Sequence, residues 1–148
     1  MPDPSASYLL GRLVFALDRA ADHLLQDALG LSYKRFLFLT VLEHTGTVTQ
    51  HELAVALGYS DPSVSTMLVE LGKEGLLHIA PSPEHGRKHF VMITERGQTL
   101  VAQGREILDQ QFDALATSAG VDTQQLSEAA ERLFLALKHK TTDKECPP

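Results

Sequence analysis

The chain has a single cysteine, and it has no apolar run approaching the length that crosses a membrane, about 18 residues. Cys146 has no partner for a disulfide within one chain. Its neighbours in TTDKECPP do not offer the cationic, structured setting of a redox-sensing thiol. The first residues, MPDPSASY, lack the basic segment that opens a signal peptide. We therefore expect a cytoplasmic protein with no membrane partner.

The chain also lacks the sequence patterns of common catalytic sites. It has no glycine-rich phosphate loop, no nucleophile elbow, no HExxH motif and no paired-carboxylate pattern with supporting context. Ser63 and Ser65 have no arrangement that suggests an activated hydroxyl. A zinc site needs about four convergent ligands, and the histidines are scattered along the chain: His23, His44, His51, His78, His85, His89 and His139. We predict no enzymatic activity, no cofactor and no metal site.

The charge balance gives no general support for nucleic-acid binding. The formal net charge is −6 at pH 7, whereas phosphate contacts require clustered Lys and Arg. Residues 33–97 contain six Lys and Arg and seven Asp and Glu, so the net charge of this region is −1. With 43% hydrophobic and 22% charged residues in 148, the composition is that of one soluble globular domain. Any DNA binding would therefore depend on a local patch of suitable side chains.

Two short helical patterns, joined by a glycine-containing turn at 58–60, occupy the middle of the chain. Each has apolar residues at helical spacing on one face, Leu53, Ala54 and Leu57 in the first and Val64, Leu68 and Leu71 in the second. The helix ends are marked by capping residues: Thr49 with Glu52 as a capping box, Ser60 or Asp61 before helix 62–74, and Gly75 after it. This is the pattern of a helix-turn-helix, whose second helix usually lies in a DNA major groove.

Two β-compatible segments follow, at 76–80 and 89–93. The polar stretch between them contains prolines and Gly86 and cannot continue a helix, so we predict a β-hairpin, or wing, over 82–89. Its tip carries Arg87 and Lys88. A basic tip beside the helix that reads DNA is well placed to contact the phosphate backbone or a minor groove.

Longer helical patterns flank this region, at 7–29, 33–44, 95–118 and 122–140. The apolar stripe of the first is too broad for one neighbouring helix to cover. We therefore predict a two-fold homodimer that presents two reading helices to the half-sites of a pseudo-palindrome. The predicted fold class is mainly α with a small β-hairpin wing. It is one domain over 1–148, with a winged helix-turn-helix lobe at 33–97 and a long-helix dimerisation lobe at 7–29 and 95–140.

From Ser7 to Lys140 the order and spacing of these elements resemble the MarR (multiple antibiotic resistance regulator) family. ELAVALGYSDPSVSTMLVELGKEGLL is similar to the family pattern ELA..L..S..TVS..V..LE..GL, and GRKHFVMITERG is similar to RR...V.LT..G. The resemblance implies a homodimeric regulator that binds double-stranded DNA, with a pocket for a small aromatic or phenolic effector between the dimer body and the winged helix. The positions in register are Leu53, Ala54, Ser65, Leu71, Gly75, Leu76, Arg87, Val91, Thr94 and Gly97.

The candidate contacts follow from this arrangement. Hydroxyl groups read bases ambiguously, whereas Val69 can contact a thymine methyl group. The DNA-binding candidates are Ser63, Ser65, Thr66, Val69 and Lys73 on the reading helix, Arg87 and Lys88 on the wing, and Thr49, Gln50, Lys34 and Arg35 near helix N-termini. The effector-pocket candidates are Tyr8, Phe15, His23, Phe36, Phe38 and His44, although aromatic residues at helical spacing are more often core. Protonation of His85 and His89 would add positive charge near the tip, which predicts tighter DNA binding at mildly acid pH.

The chain departs from the family pattern at functional positions. His85 stands where an acidic residue often precedes the wing arginine, and Thr66 and Glu70 stand where arginines are common. A carboxylate near phosphates is repulsive, although Glu can accept a hydrogen bond from cytosine. These departures and the acidic balance keep an alternative open: a dimeric protein-interaction regulator with the same fold and weak or lost DNA binding.

Overall fold

A computed structural model describes residues 3–82, 84 and 88–142. Over these residues the chain forms six helices and three strands: α1 (Ala6–Leu29), α2 (Tyr33–Thr45), β1 (Val48–Thr49), α3 (Gln50–Leu57), α4 (Asp61–Lys73), β2 (Leu77–Pro81), β3 (His89–Ile93), α5 (Glu95–Ala119) and α6 (Thr123–Thr142). The predicted fold class, mainly α with a small sheet, is confirmed. The chain divides into two compact units, the first ending at Leu108 and the second beginning at Asp109, and each is described by itself.

The predicted capping residues set the ends of the helices in the helix-turn-helix. Thr49 Oγ1 accepts a hydrogen bond from the Glu52 backbone N–H at 3.2 Å, and the Glu52 carboxylate accepts one from the Thr49 N–H at 2.9 Å. Of the two candidates for α4, Ser60 is the cap, because its hydroxyl accepts from the Ser63 N–H. The helix therefore begins at Asp61, one residue before the predicted start, with Pro62 in its first turn.

The sheet has three strands rather than the predicted two, in the order β1-β3-β2. β2 and β3 form the expected antiparallel hairpin, with Leu77 opposite Ile93. The additional strand, β1, pairs its Val48 with Val91 on the other edge of β3. The wing therefore shares a sheet with the residue that caps α3. The tip residues 83 and 85–87, including the predicted contact Arg87, lie outside the described residues, as does Cys146.

The core of the first unit lies where α1, α2, α3, α4, the sheet and the start of α5 meet. Its fully buried side chains include Leu25, Phe38, Leu39, Leu42, Leu53, Val64, Leu71, Val91 and Val101. Gly104 of α5 allows a close helix approach. A Cβ atom there would lie 2.8 Å from Cε2 of Phe36 and 3.3 Å from Cδ2 of Leu25. α5 therefore packs closely on α2 and α1 at this point.

Two helices each expose several large apolar side chains in the single chain. In α1 the exposed residues are Tyr8, Leu9, Leu10, Leu13, Val14 and Phe15, and in α6 they are Leu126, Leu133, Phe134, Leu135 and Leu137. None of the described helices is long and apolar enough to span a membrane. In the single chain these apolar side chains are therefore accessible to solvent.

Candidate nucleic-acid interface

The α4 helix has a buried side and an opposite exposed side. Val64, Leu68 and Leu71 face the core. Because successive residues turn by about 100° in an α-helix, Thr66, Val69 and Lys73 lie on the opposite side, and we call them the reading face. All three are exposed, and Val69 keeps 53% of its surface accessible. The two exposed methyl groups of Val69 are suited to an apolar contact with the methyl group of a thymine.

The predicted hydroxyl contacts on α4 are partly engaged within the chain. The Gln50 side-chain amide donates to the Ser65 hydroxyl and so connects the start of α3 to one flank of α4. Ser63 Oγ lies 3.0 Å from Ser60 Oγ, and Thr66 Oγ1 donates to the Pro62 carbonyl at 3.2 Å. A hydroxyl retains acceptor capacity after donating, so Thr66 can still accept from a base amino group.

The two basic residues predicted as phosphate contacts on α2 lie against the helix-turn-helix. The Nη1 atom of Arg35 donates to Oε1 of Glu74 at 2.9 Å, and its Nη2 atom approaches Oε2 of Glu70 at 3.4 Å. The Arg35 side chain is only 18% exposed. The Nζ atom of Lys34 lies 4.7 Å from the ring centroid of Tyr59, in the turn before α4, within cation–π range. Both cations therefore have partners inside the lobe.

The base of the wing, the start of α3 and the start of α4 meet at a surface depression of about 460 Å³. Lys88, Thr49 and Gln50, three predicted DNA contacts, line it together with His51 and Asp61. The Nδ1 atom of His51 lies 3.6 Å from Oδ1 of Asp61. The structure thus brings the wing candidate Lys88 to the same surface as the α3 N-terminal candidates.

The six effector-pocket candidates do not line one cavity among the described residues. Phe36 and Phe38 are buried in the core, and the exposed His44 has its Nδ1 atom 2.9 Å from the Thr40 carbonyl oxygen. Phe15 lines an open depression of about 510 Å³ with His23 and a second one with Tyr8. These positions stay predictions.

Tyr33 also lines the depression that Phe15 and His23 share. Burial raises the pKa of the Tyr33 phenol above its ordinary value of 10.0, and the carboxylate of Asp18 raises it further. The phenol therefore holds its proton more tightly in the folded chain than in an unfolded one.

A further cavity, of about 530 Å³, was not foreseen from the sequence. Its lining combines apolar with charged and polar side chains. The apolar ones are Leu29, Leu31, Leu76 and Leu100, and the others are Lys73, Glu74, Arg96, Thr99 and Gln103. These residues come from three separate segments, so no local pattern signals their meeting. Within the described ranges, no group of three or more His, Cys, Asp or Glu side chains is arranged to hold a metal ion.

A helix-turn-helix followed by an antiparallel hairpin defines the winged helix-turn-helix class of protein. Within that class the chain belongs to the MarR family. The family profile matches residues 29–88. An HTH-type transcriptional regulator of Mycobacterium tuberculosis is 32% identical over 100 residues, which are 67% of this chain and 69% of that protein. The MarR family consists of transcriptional regulators, which confirms the sequence-based prediction that the chain is not an enzyme.

Solved structures share the whole fold. A mutant MarR from E. coli superposes with a TM-score of 0.79 at 19% identity, over 93% of this chain and 99% of that one. The transcriptional repressor CouR, bound to a 23-mer DNA duplex, gives a TM-score of 0.77 at 23% identity, over 90% of this chain and 92% of that one. S. aureus MepR in complex with DNA gives 0.73 at 21% identity, over 93% and 99%. These likenesses confirm the fold.

Proposed function

We propose that the chain is a cytoplasmic transcriptional repressor that binds a pseudo-palindromic operator as a homodimer and is released by a small aromatic or phenolic effector. The observation that carries the proposal is the reading face of α4, where Thr66, Val69 and Lys73 point away from the core beside a wing. Two similar proteins, CouR and MepR, are in complex with DNA in their structures. CouR is a transcriptional repressor by name.

The DNA-binding part of the proposal is tested by selection. Full-length protein is used to enrich duplexes from a random-sequence library, and binding to the enriched duplex is measured by fluorescence anisotropy at two salt concentrations. We expect a two-fold-symmetric sequence bound with an affinity that falls as salt rises. Val69→Ala shortens the apolar contact and should lose discrimination at one thymine, by about 0.8 kcal/mol per buried methyl group removed, while Lys88→Ala should weaken binding to all duplexes alike.

The alternative, a protein-interaction regulator with lost DNA binding, is supported by the charge of α4. The helix and its C-terminal cap carry Asp61, Glu70 and Glu74 against the single cation Lys73. If the selection enriches no sequence and the protein binds no duplex at low salt while remaining a folded dimer, the alternative replaces the operator-binding proposal.

The dimer is supported by the exposed apolar surfaces of α1 and α6. Leu133 and Leu137 are 62% and 63% exposed in the single chain, and large exposed apolar patches mark association surfaces. The double variant Leu133→Glu, Leu137→Glu should convert the dimer to a monomer in light scattering. Val55→Glu is the matched control, because Val55 is an apolar residue of α3 with 69% exposure outside the predicted dimer helices. A wild type that is monomeric at micromolar concentration would contradict the proposal.

The effector is supported by the cavity of about 530 Å³, which falls in the range of small-molecule sites, about 300–1,000 Å³. It shares Lys73 with the reading face, and Arg96 lies on its wall. A ligand there would touch α4 directly and could shift the dimer between conformations that fit DNA and conformations that do not. A panel of phenols and aromatic carboxylates should contain compounds that both raise the melting temperature and release the enriched duplex. If no compound in the panel raises the melting temperature and releases the duplex, the proposed aromatic or phenolic effector is excluded.

A further inference from the structure

We infer that Arg35 is a positioning residue for DNA binding: it offsets one of the two negative charges of Glu70 and Glu74 beside the reading face, and it is not itself a phosphate contact. The inference rests on the proposed DNA-binding function. It assigns a role to a cation that the sequence alone suggested as a contact, and it accounts for two carboxylates on a helix that must approach a polyanion.

The geometry places one guanidinium between two carboxylates of the neighbouring helix. Arg35 stands in the first turn of α2, and it binds Glu70 of α4 at 3.4 Å and Glu74, the C-cap residue of α4, at 2.9 Å. Glu70 and Glu74 are one helical turn apart and therefore lie on the same side of the helix. Both of Arg35's terminal nitrogens are directed at them. The planar fork of arginine suits such a pair, whereas the single ammonium of lysine would not span both.

The two carboxylates lie where uncompensated negative charge would oppose DNA binding. Glu70 directly follows Val69, and at about 100° per residue it borders the reading face. Its side chain is 54% exposed and that of Glu74 is 47% exposed, while Arg35 is 18% exposed. Duplex DNA carries one negative charge per about 1.7 Å of its axis. Without a cation between them, two exposed carboxylates would approach that charge uncompensated, and like-charge juxtaposition is strongly unfavourable in an interface.

The same contact also limits rotation of the reading helix about its axis. Arg35 holds one flank of α4 through Glu70 and Glu74. Gln50 holds the other flank through the Ser65 hydroxyl. With both flanks bound, the reading face between them keeps a fixed direction relative to α2 and α3. A side chain that reads a base must be held in this way for its contact to be selective.

The test combines removal of the cation with removal of the charges that it covers. Arg35→Met keeps most of the side-chain volume without the charge. Glu70→Gln with Glu74→Gln removes both carboxylates, with or without Arg35. Arg105→Met is the matched control, because Arg105 forms a comparable ion pair with Glu43 at 2.6 Å that does not involve α4. Each variant is measured by anisotropy on the duplex enriched by the wild type and on an unrelated duplex, across a series of salt concentrations, after its thermal unfolding has been checked.

We expect Arg35→Met to weaken binding to the enriched duplex about tenfold, or about 1.4 kcal/mol, and Arg105→Met to leave it within about twofold. Adding the two Glu→Gln changes to Arg35→Met should restore binding to within about threefold of wild type. The slope of log affinity against log salt should be unchanged between wild type and this triple variant, since a lost phosphate contact would reduce it by about 0.9. With Arg35 intact, Glu70→Gln and Glu74→Gln should bind as well as wild type or better.

Three results would overturn the inference while leaving the proposed function standing. The first is a triple variant as weak as Arg35→Met with a shallower salt slope, which would make Arg35 a phosphate contact. The second is a loss of sequence selectivity on Glu70→Gln and Glu74→Gln alone, which would make a carboxylate a base contact. The third is wild-type affinity in Arg35→Met. If Arg35→Met does not fold, the variant with both Glu→Gln changes still tests the inference: binding as tight as wild type or tighter supports it, and lost sequence selectivity contradicts it. A wild type that binds no duplex would overturn the proposed function, and the inference with it.

Discussion

Gly97 in the first turn of α5 offers the sharpest test of the packing around the wing. A Cβ atom at this position would lie 2.2 Å from the carbonyl oxygen of Leu76 and 2.7 Å from Cγ1 of Ile93. The Leu76 carbonyl already accepts a hydrogen bond from the Thr94 N–H at 3.1 Å. Thr94 in turn caps α5 by accepting from the Gly97 N–H at 3.1 Å. The start of α5 is therefore pressed against the backbone that leads into β2.

The expected effect of Gly97→Ala follows from these contacts. Carbon and oxygen normally approach to about 3.3 Å, so the new methyl group overlaps the carbonyl by about 1.1 Å. The neighbour is backbone, and moving it breaks a hydrogen bond worth about 1 kcal/mol. Overpacking adds up to about 3 kcal/mol, while alanine returns about 1 kcal/mol of helix propensity. We expect a net loss of about 3 kcal/mol, or about 6–12 °C in melting temperature.

Gly104→Ala is the comparison variant. Its Cβ would lie 2.8 Å from a ring carbon of Phe36, but a side chain can move aside where a backbone carbonyl cannot. With the same gain in helix propensity, about 1 kcal/mol, the expected net loss is only about 0.5 kcal/mol. Both variants are unfolded in urea and followed by circular dichroism at one protomer concentration, because the stability of the proposed dimer would depend on concentration. Equal losses in the two variants, or a Gly97→Ala protein as stable as wild type, would refute the reasoning.

Two further substitutions test local interactions. Thr49→Ala removes the hydroxyl that accepts from the Glu52 N–H and should lower the free energy of unfolding by about 1 kcal/mol; Thr49→Ser should lose less than half as much, and an equal loss would show that the cap is not the cause. Tyr33 has a raised pKa in the folded chain, so its contribution to stability is fully present below about pH 10 and declines as pH rises from there towards the folded-state pKa. Urea unfolding at about pH 9 and pH 11 should therefore show a steeper decline for wild type than for Tyr33→Phe, and parallel declines would contradict the assigned shift.

Features that depend on neighbours in sequence were predictable, and their details agree with the structure. The cap at Thr49 places the start of α3 correctly, because a capping side chain bonds to a backbone N–H only three residues away. A local contact of the same kind starts α6, where the Gln125 N–H donates to Asp122 Oδ1 at 2.9 Å. The helix-turn-helix and the hairpin follow from the same kind of local signal.

Features that depend on distant partners were not predictable. β1 has only two residues, too few for an alternating pattern, and it is a strand only because β3 lies beside it. Lys34 and Arg35 had the charge of phosphate contacts, but their partners Tyr59, Glu70 and Glu74 become visible only in the folded chain. Phe36 and Phe38 are both buried although they are two residues apart, because α2 is enclosed on several sides.

The short strand β1 has a consequence for the order in which the lobe folds during synthesis. Val48 and its partner Val91 are 43 residues apart, and both helices of the helix-turn-helix lie between them. The local contacts of α3 and α4 can form as soon as those residues leave the ribosome. The residue that caps α3 gains its strand partner only when β3 follows, several seconds later at a rate of about 5–20 residues per second. Closing so long a segment is slower than forming a helical turn, so β3 completes the lobe last.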